Sequence, residues 1–182
     1  MKLKRSTLYS KILSIIKWFC IKIWYPNNFY SKHPFFIGAK VRFFIENGEI
    51  VIGNKARIGD YCEIQSRYSK IQIGDNFNLN SFSRIIAFNK ISIGNNVTIA
   101  QFVSILDHDH DYKISDGNML LNGYKFKPIK IGSNVWIGDK VSITKGVTIG
   151  DNVIIGAGTI VTKDIISNSI VAGNPLRLIK KI

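Results

Sequence analysis

Ile129-Lys-Ile131-Gly-Ser-Asn-Val135-Trp-Ile137-Gly-Asp-Lys-Val141-Ser-Ile143-Thr-Lys-Gly-Val147-Thr-Ile149-Gly-Asp-Asn-Val153-Ile-Ile155-Gly156 repeats itself every six residues. An aliphatic side chain recurs at Ile131, Ile137, Ile143, Ile149, Ile155 and Val161. A small or apolar residue sits four positions after most of them, as at Val135, Val141, Val147 and Val153. This period matches neither helix geometry nor plain strand alternation. It suits a short flat strand followed by a corner, with one aliphatic per side pointing inward. Three sides close a coil of 18 residues, the distance from Ile131 to Ile149. Stacked coils then bury ladders of aliphatic side chains.

The same period runs upstream through Ile52, Ile58, Ile64, then Ile73, Leu79, Ile85, then Ile93, Ile99, Ile105. Ala56, Cys62, Val97 and Val103 take the accompanying small positions. Glycine follows many of the aliphatics, as at Gly53, Gly74, Gly94 and Gly132, and is expected to ease the backbone through the corner. A second marker, Ile-x-Ile-Gly, begins at Ile50, Ile71, Ile91 and Ile129, at intervals of 21, 20 and 38 residues. The last interval holds one coil plus an inserted loop, about 107–127, and that loop contains His108 and His110. A long excursion from a strict repeat is usually functional. These patterns predict an all-β chain: a parallel β-helix of about five coils over 37–182, with one inserted loop and a short C-terminal cap.

The N-terminal segment, 1–36, is different in kind. Of the 182 residues, 25 are Lys or Arg and 12 are Asp or Glu, a net charge of +13. Nine of the cations, from Lys2 to Arg42, precede the first acid, Glu46. Such a surface suits nucleic acid, anionic lipid or a phosphorylated ligand. No zinc-finger spacing, RNP-like aromatic motif or recognition-helix pattern accompanies it, so nucleic acid is not expected as a partner. Wound as a helix, Leu8, Ile12, Ile15, Ile16, Phe19 and Ile23 share one face, with Lys11, Lys17 and Lys22 mostly opposite. Ser6 or Thr7 would cap its start, and Pro26 stops it. Lys17 and Lys22 interrupt the apolar run, whereas a spanning helix needs ~20 largely uncharged residues. Two roles remain open: peripheral docking on an anionic membrane with Trp18 and Trp24 as interfacial anchors, or packing of the apolar face on the protein. Cys20 and Cys62 lack disulfide or metal-ligand spacing and read as reduced thiols, which places the chain in a cytoplasm, at most peripheral to the inner face of the membrane.

The repeat resembles that of the hexapeptide-repeat acyltransferases, and the resemblance covers 37–182. The stretch Ile131-Gly-Ser-Asn-Val-Trp136-Ile-Gly138 and the end Ala172-Gly-Asn-Pro175-Leu-Arg177-Leu-Ile179 look closest to galactoside and maltose acetyltransferases. They are also similar to the O-acetyltransferases that decorate bacterial surface polysaccharides. The resemblance implies a left-handed β-helix, a homotrimer with sites shared between neighbours, and transfer of acetyl from acetyl-CoA to a carbohydrate acceptor, expected to be a surface glycan or its lipid-linked precursor. In the sugar enzymes the general base lies five residues after the inward aliphatic of its rung; counting from Ile105 gives His110, with His108 as second candidate. An imidazole near its ordinary pKa suits removal of a hydroxyl proton.

Carried over residue by residue, Trp136, Asp139, Ala157, Thr162 and Lys163 match positions along the cofactor path. Arg177 and Lys180 match basic residues near its phosphates. Asn80 matches an acceptor-binding position, and Asp107, Asp109 and Tyr112 flank the histidines as further acceptor candidates; the carboxylates of Asp107, Asp109 and Asp111 are also candidates to orient the base. Two departures stand out. Asp139 replaces a small or hydroxyl residue beside the thioester, and an acidic partner of the small-sugar enzymes is replaced around Phe88-Asn89. Asp and His cluster densely enough to suggest a metal, but related zinc enzymes use three histidines on adjacent coils, and His33 precedes the repeat; no metal is expected. An N-acetyltransferase acting on an amino-sugar nucleotide and a non-catalytic β-helix binding protein are the alternatives.

Overall fold

A computed structural model describes residues 8–182. Three parallel sheets form the sides of a triangular solenoid. One coil runs from a strand of the first sheet, such as Glu49–Ile52, to one of the second, Arg57–Ile58, and one of the third, Glu63–Arg67. The aliphatic ladders are in register. Ile50 pairs with Ile71, Ile71 with Ile91 and Ile91 with Ile129 on the first side. Ile64, Ile85, Ile105, Ile143 and Val161 stack on the third. All are buried, and each such side chain contributes roughly 1.5–3 kcal/mol on leaving water.

Six full coils and part of a seventh are wound, rather than about five. The extra one is the first, which starts at Phe29–Ser31, ahead of the expected boundary at 37, and pairs with Ile50–Ile52. Its inward positions carry Phe29 and Phe43, over Ile50 and Ile64, and it lacks the Ile-x-Ile-Gly marker. Aromatic residues thus fill inward positions of the first coil, where a strict aliphatic count misses them.

The glycines have a different role from the one expected. At the first corner the left-handed backbone falls two residues later, on Lys55, Asn76, Asn96, Asn134 and Asn152, with φ between 55° and 58°. Asparagine tolerates that region because its short amide bonds locally. Here the amides bond upward instead: Asn76 donates to Asn96 at 2.8 Å, Asn96 to Asn134 at 3.0 Å and Asn134 to Asn152 at 3.1 Å. Gly53, Gly74, Gly94 and Gly132 are required by contact between coils. A Cβ on Gly94 would lie 2.7 Å from the carbonyl carbon of Gly132, and one on Gly132 equally close to Gly150.

Helix α1, Leu8–Trp24, covers the open end of the first coil. Its expected cap at Ser6 or Thr7 lies outside the described residues. The helix is amphipathic as expected, but it packs with the other face. Ser14 and Trp18 are buried, whereas Leu8, Ile12, Ile15, Ile16, Phe19 and Ile23 face outward. The end strand Phe36–Ile37 supplies the reason: it has no coil beneath it, so its backbone groups need partners. Ser14 Oγ accepts from the Ile37 amide at 3.1 Å, and Lys17 Nζ donates to the carbonyls of Ile37 and Gly38 at 3.2 and 2.5 Å. Trp18 joins the core cluster alongside. At the opposite end Arg177–Lys181 turns antiparallel onto Ser169–Ala172, the expected cap.

This packing predicts a contrast between helix faces. Trp18→Ala should destabilise the chain by about 3–5 kcal/mol, whereas Ile16→Ala should change stability by no more than about 0.5 kcal/mol. Thermal melts of the two variants measure this, and the reverse ranking would mean that the apolar face is the packed one.

Candidate active site

The inserted segment is a β-hairpin that leaves the third corner, between the fourth and fifth coils. His108–Ser115 pairs antiparallel with Asn118–Phe126, turning at Asp116-Gly117, both with positive φ. An Asp-Gly pair between strand-forming runs is a strong hairpin signal, and the expected loop is accordingly a two-stranded ribbon.

Asp107 forms the neck of this hairpin. It is fully buried. Oδ1 accepts from the Phe88 amide at 2.7 Å, and Oδ2 from the amides of Asn89 and Lys90, both at 2.8 Å. Its carbonyl accepts from Lys127 at 2.9 Å, where the chain returns. Asp107 is therefore unavailable to an acceptor, contrary to expectation, because three amides of the neighbouring turn occupy its carboxylate.

The two histidines next to it differ sharply. His108 is largely covered: its ring stacks on Phe88 at 3.9 Å and 14°, and its Nδ1 lies 3.4 Å from Asp107 Oδ1. His110 is exposed and makes a ring contact with Tyr124 at 4.7 Å; neither of its nitrogens hydrogen-bonds another described residue. Tyr124 also meets Phe88 and His108, so it links both imidazoles. The other candidate carboxylates turn away from the rings. Asp109 pairs with Lys145, and Asp111 with Lys125 at 2.6 Å. The Lys125 hydrogen bond, with the Tyr112 amide, holds the half-buried Asp111 carboxyl below its ordinary range. Its folded pKa is lowered, so this pairing persists above the usual carboxylate pKa and is lost as pH falls through the folded value. Tyr112 is exposed on the hairpin.

The remaining candidates lie in three places. Trp136 lies exposed on the second sheet, and Arg177 and Lys180 lie on the strand that caps it. Asn80, Asp139 and Ala157 occupy the second corner, between the second and third sheets. Thr162 and Lys163 follow strand Ile160–Val161 and so occupy the third corner, on the hairpin's side. The whole third sheet therefore separates the histidines from the Trp136 group within one chain. Asp139 and Asn80 both have structural partners: Asp139 Oδ1 accepts from the Gln101 amide at 2.9 Å, and the Asn80 amide donates to the Ile99 carbonyl at 2.8 Å. The first of these accounts for an acid at 139, since it joins two coils.

Sequence reading missed Tyr124 and Arg67 and noted Phe88 only as a departure from the small-sugar enzymes; the three line a cleft of about 550 Å³ beside the histidines with Glu46, Tyr68, Asn89 and Phe126. None carries a motif. Only the fold brings the second coil's third strand beside the hairpin.

The family described as bacterial transferase hexapeptide (six repeats) matches residues 128–163. Galactoside O-acetyltransferase of Escherichia coli is 48% identical over 117 residues, 63% of this chain and 55% of that protein. The chain spans 29% to 60% of the length of the curated relatives it matches. A solved maltose O-acetyltransferase from Clostridium difficile is 30% identical, with a TM-score of 0.51 over 96% of this chain and 84% of that one. The N-acyltransferase AntD of Bacillus cereus superposes with a TM-score of 0.65 over 89% of this chain and 88% of that one, at 23% identity, which speaks for the fold alone. The six-residue period, the in-register three-sided solenoid and these likenesses agree: the chain belongs to the left-handed β-helix, hexapeptide-repeat acyltransferase superfamily.

Proposed function

We propose that this chain is an acetyl-CoA-dependent O-acetyltransferase that acetylates a sugar hydroxyl of a bacterial surface glycan or its lipid-linked precursor, with His110 as general base. The observation that carries this reading is the histidine-bearing hairpin set into a family β-helix. The similarity to galactoside and maltose O-acetyltransferases supports the reaction class. In the proposed step an unengaged nitrogen of His110 takes the proton as the acceptor oxygen attacks the thioester carbonyl. Collapse of the tetrahedral intermediate breaks the carbon–sulfur bond, and the imidazolium returns the proton to the departing thiolate. Acetyl-CoA supplies an already activated acyl group. His108, stacked on Phe88 and tied towards Asp107, is suited to positioning rather than proton transfer.

Separation of the histidines from the Trp136 group argues for a site completed by a neighbouring copy. A homotrimer is the arrangement we propose, with the histidine hairpin of one chain facing the second sheet of the next. Trp136, Ala157, Arg177 and Lys180 are the proposed cofactor contacts on that face. Thr162 and Lys163 would approach the cofactor from the hairpin's own chain.

The outward face of α1 supports peripheral docking on an anionic membrane. Leu8, Ile23 and Trp24 are each at least three-quarters exposed, at 75%, 77% and 80%. The helix carries Lys11 and Lys22 and no acid. No described helix is long and apolar enough to cross a membrane. An exposed apolar face flanked by lysines suits the interface between headgroups and acyl chains.

Three outcomes test this reading. His110→Ala should lower turnover by ~10²–10⁴ while acetyl-CoA binding and fold persist; an active His110→Ala beside a dead His108→Ala would reverse the assignment. Mixing inactive His110→Ala with weakened Trp136→Ala chains and reassembling them should restore measurable turnover, since some sites then receive both intact groups. If mixed assemblies stay as inactive as their parents, the site is not shared. Finally, Ile16→Asp with Phe19→Asp should abolish flotation with anionic vesicles without lowering the melting temperature. Added salt should weaken wild-type binding without eliminating it. Unchanged flotation of the double variant would sink the membrane reading.

A further inference from the structure

The cleft beside the histidines contains a cation that nothing in the proposed reaction uses. Arg67 ends the third-sheet strand of the second coil, Glu63–Arg67, and its guanidinium carbon lies 5.1 Å from the ring centre of Phe44 and 5.6 Å from that of Phe88. Its Nε is buried and without a hydrogen-bond partner. Glu46, its neighbour on the adjoining strand, comes within 3.8 Å of Nε, outside hydrogen-bond reach, and gives its other oxygen to the Tyr68 hydroxyl at 3.3 Å. No guanidinium donor hydrogen-bonds another described residue, although the side chain remains 41% exposed. A guanidinium fixed against aromatic faces with free donors is arranged for a planar or tetrahedral anion. Phe88 touches both Arg67 and His108. Tyr124 in turn meets both His108 and His110, so a sugar held at Arg67 lies in the cleft that adjoins the proposed base.

We propose that Arg67 recognises an anionic group on the acceptor, either the carboxylate of an acidic sugar or the phosphate of an activated one. The acceptor's identity as such rests on the acetyltransferase reading; the anion site does not. Tyr124 and Phe126 wall the cleft on the hairpin side and Phe88 closes it towards the histidine. They offer apolar surfaces to the sugar ring, while Arg67 fixes its charged end. Glu46, 3.8 Å from Nε, offsets part of the Arg67 charge at this site.

Binding to the intact, assembled protein tests this directly, by calorimetry with methyl glucuronide, glucose 1-phosphate and methyl glucoside. The wild type should bind at least one anionic sugar about tenfold or more tighter than the neutral one. Arg67→Gln should erase that preference, and Arg67→Lys should retain part of it. Preference for the glucuronide assigns the charge to an acidic glycan; preference for the phosphate assigns it to an activated sugar. Equal binding of all three sugars by the wild type, or a preference that survives Arg67→Gln, overturns the proposal. Should Arg67→Gln fail to fold, Arg67→Lys decides: an undiminished preference there counts against a role for the guanidinium fork. Acetyl transfer measured alongside separates the two readings. Arg67-dependent binding without transfer to any acceptor would keep the anion site and dismiss the acetyltransferase.

Discussion

Every coil of this protein must lie flat on the next, close enough for parallel hydrogen bonding along all three sides. That contact admits no Cβ at the first corners, where glycine meets glycine, and it requires each inward aliphatic to sit over another. The asparagine ladder and the carboxylate and hydroxyl groups that accept corner amides, such as Asp75, Asp139 and Asp151, bond one coil to the next without entering the core. Continuity is therefore the condition on which the rest depends. Wherever the stack is interrupted, backbone groups lose partners and another part of the chain must supply them.

The stack is interrupted in three places, and each is closed in its own way. At the first coil, α1 brings Ser14 and Lys17 to the end strand, so the helix turns its polar positions inward and its aliphatics outward. At the last coil a short antiparallel strand pairs with the edge. At the hairpin, Asp107 accepts from three successive amides of the turn below and holds the neck together. In the first and third cases, closing the solenoid also leaves a surface on which the proposed function rests: an exposed apolar helix face, and a rigid base under two histidines.

That rigid base gives neighbouring residues unlike chemistry. One residue past the neck, His108 is stacked and tied to a buried carboxylate; three residues past it, His110 stands free. Tyr124, returning on the opposite strand, meets both rings and lines the cleft that contains Arg67. The cleft thus combines residues from the first three coils with the hairpin, and the cofactor candidates around Trp136 lie across another side. A solenoid spreads sites over its surface rather than gathering them in one pocket, which is why assembly with a second copy enters the functional argument.

The amino-acid sequence alone determined the coil. Its six-residue period, the Ile-x-Ile-Gly markers and the place of the insertion are local constraints written once per side, because each rung meets the same geometry. It also singled out the histidine pair, since an insertion breaks an otherwise strict count. What it left open were relations between residues far apart in the chain. The first coil was hidden because aromatic Phe29 and Phe43 fill inward positions without the aliphatic-glycine signature. The orientation of α1 could not be read from its amphipathicity, because the end strand's unpaired backbone outweighed the pull of the apolar face. Asp107 looked like a ligand contact until the fold enclosed it beneath the turn at Phe88–Lys90, and Arg67 carried no signal at all. Tertiary structure decided these points because each depends on which backbone groups and which side chains the stacking of coils leaves without a partner.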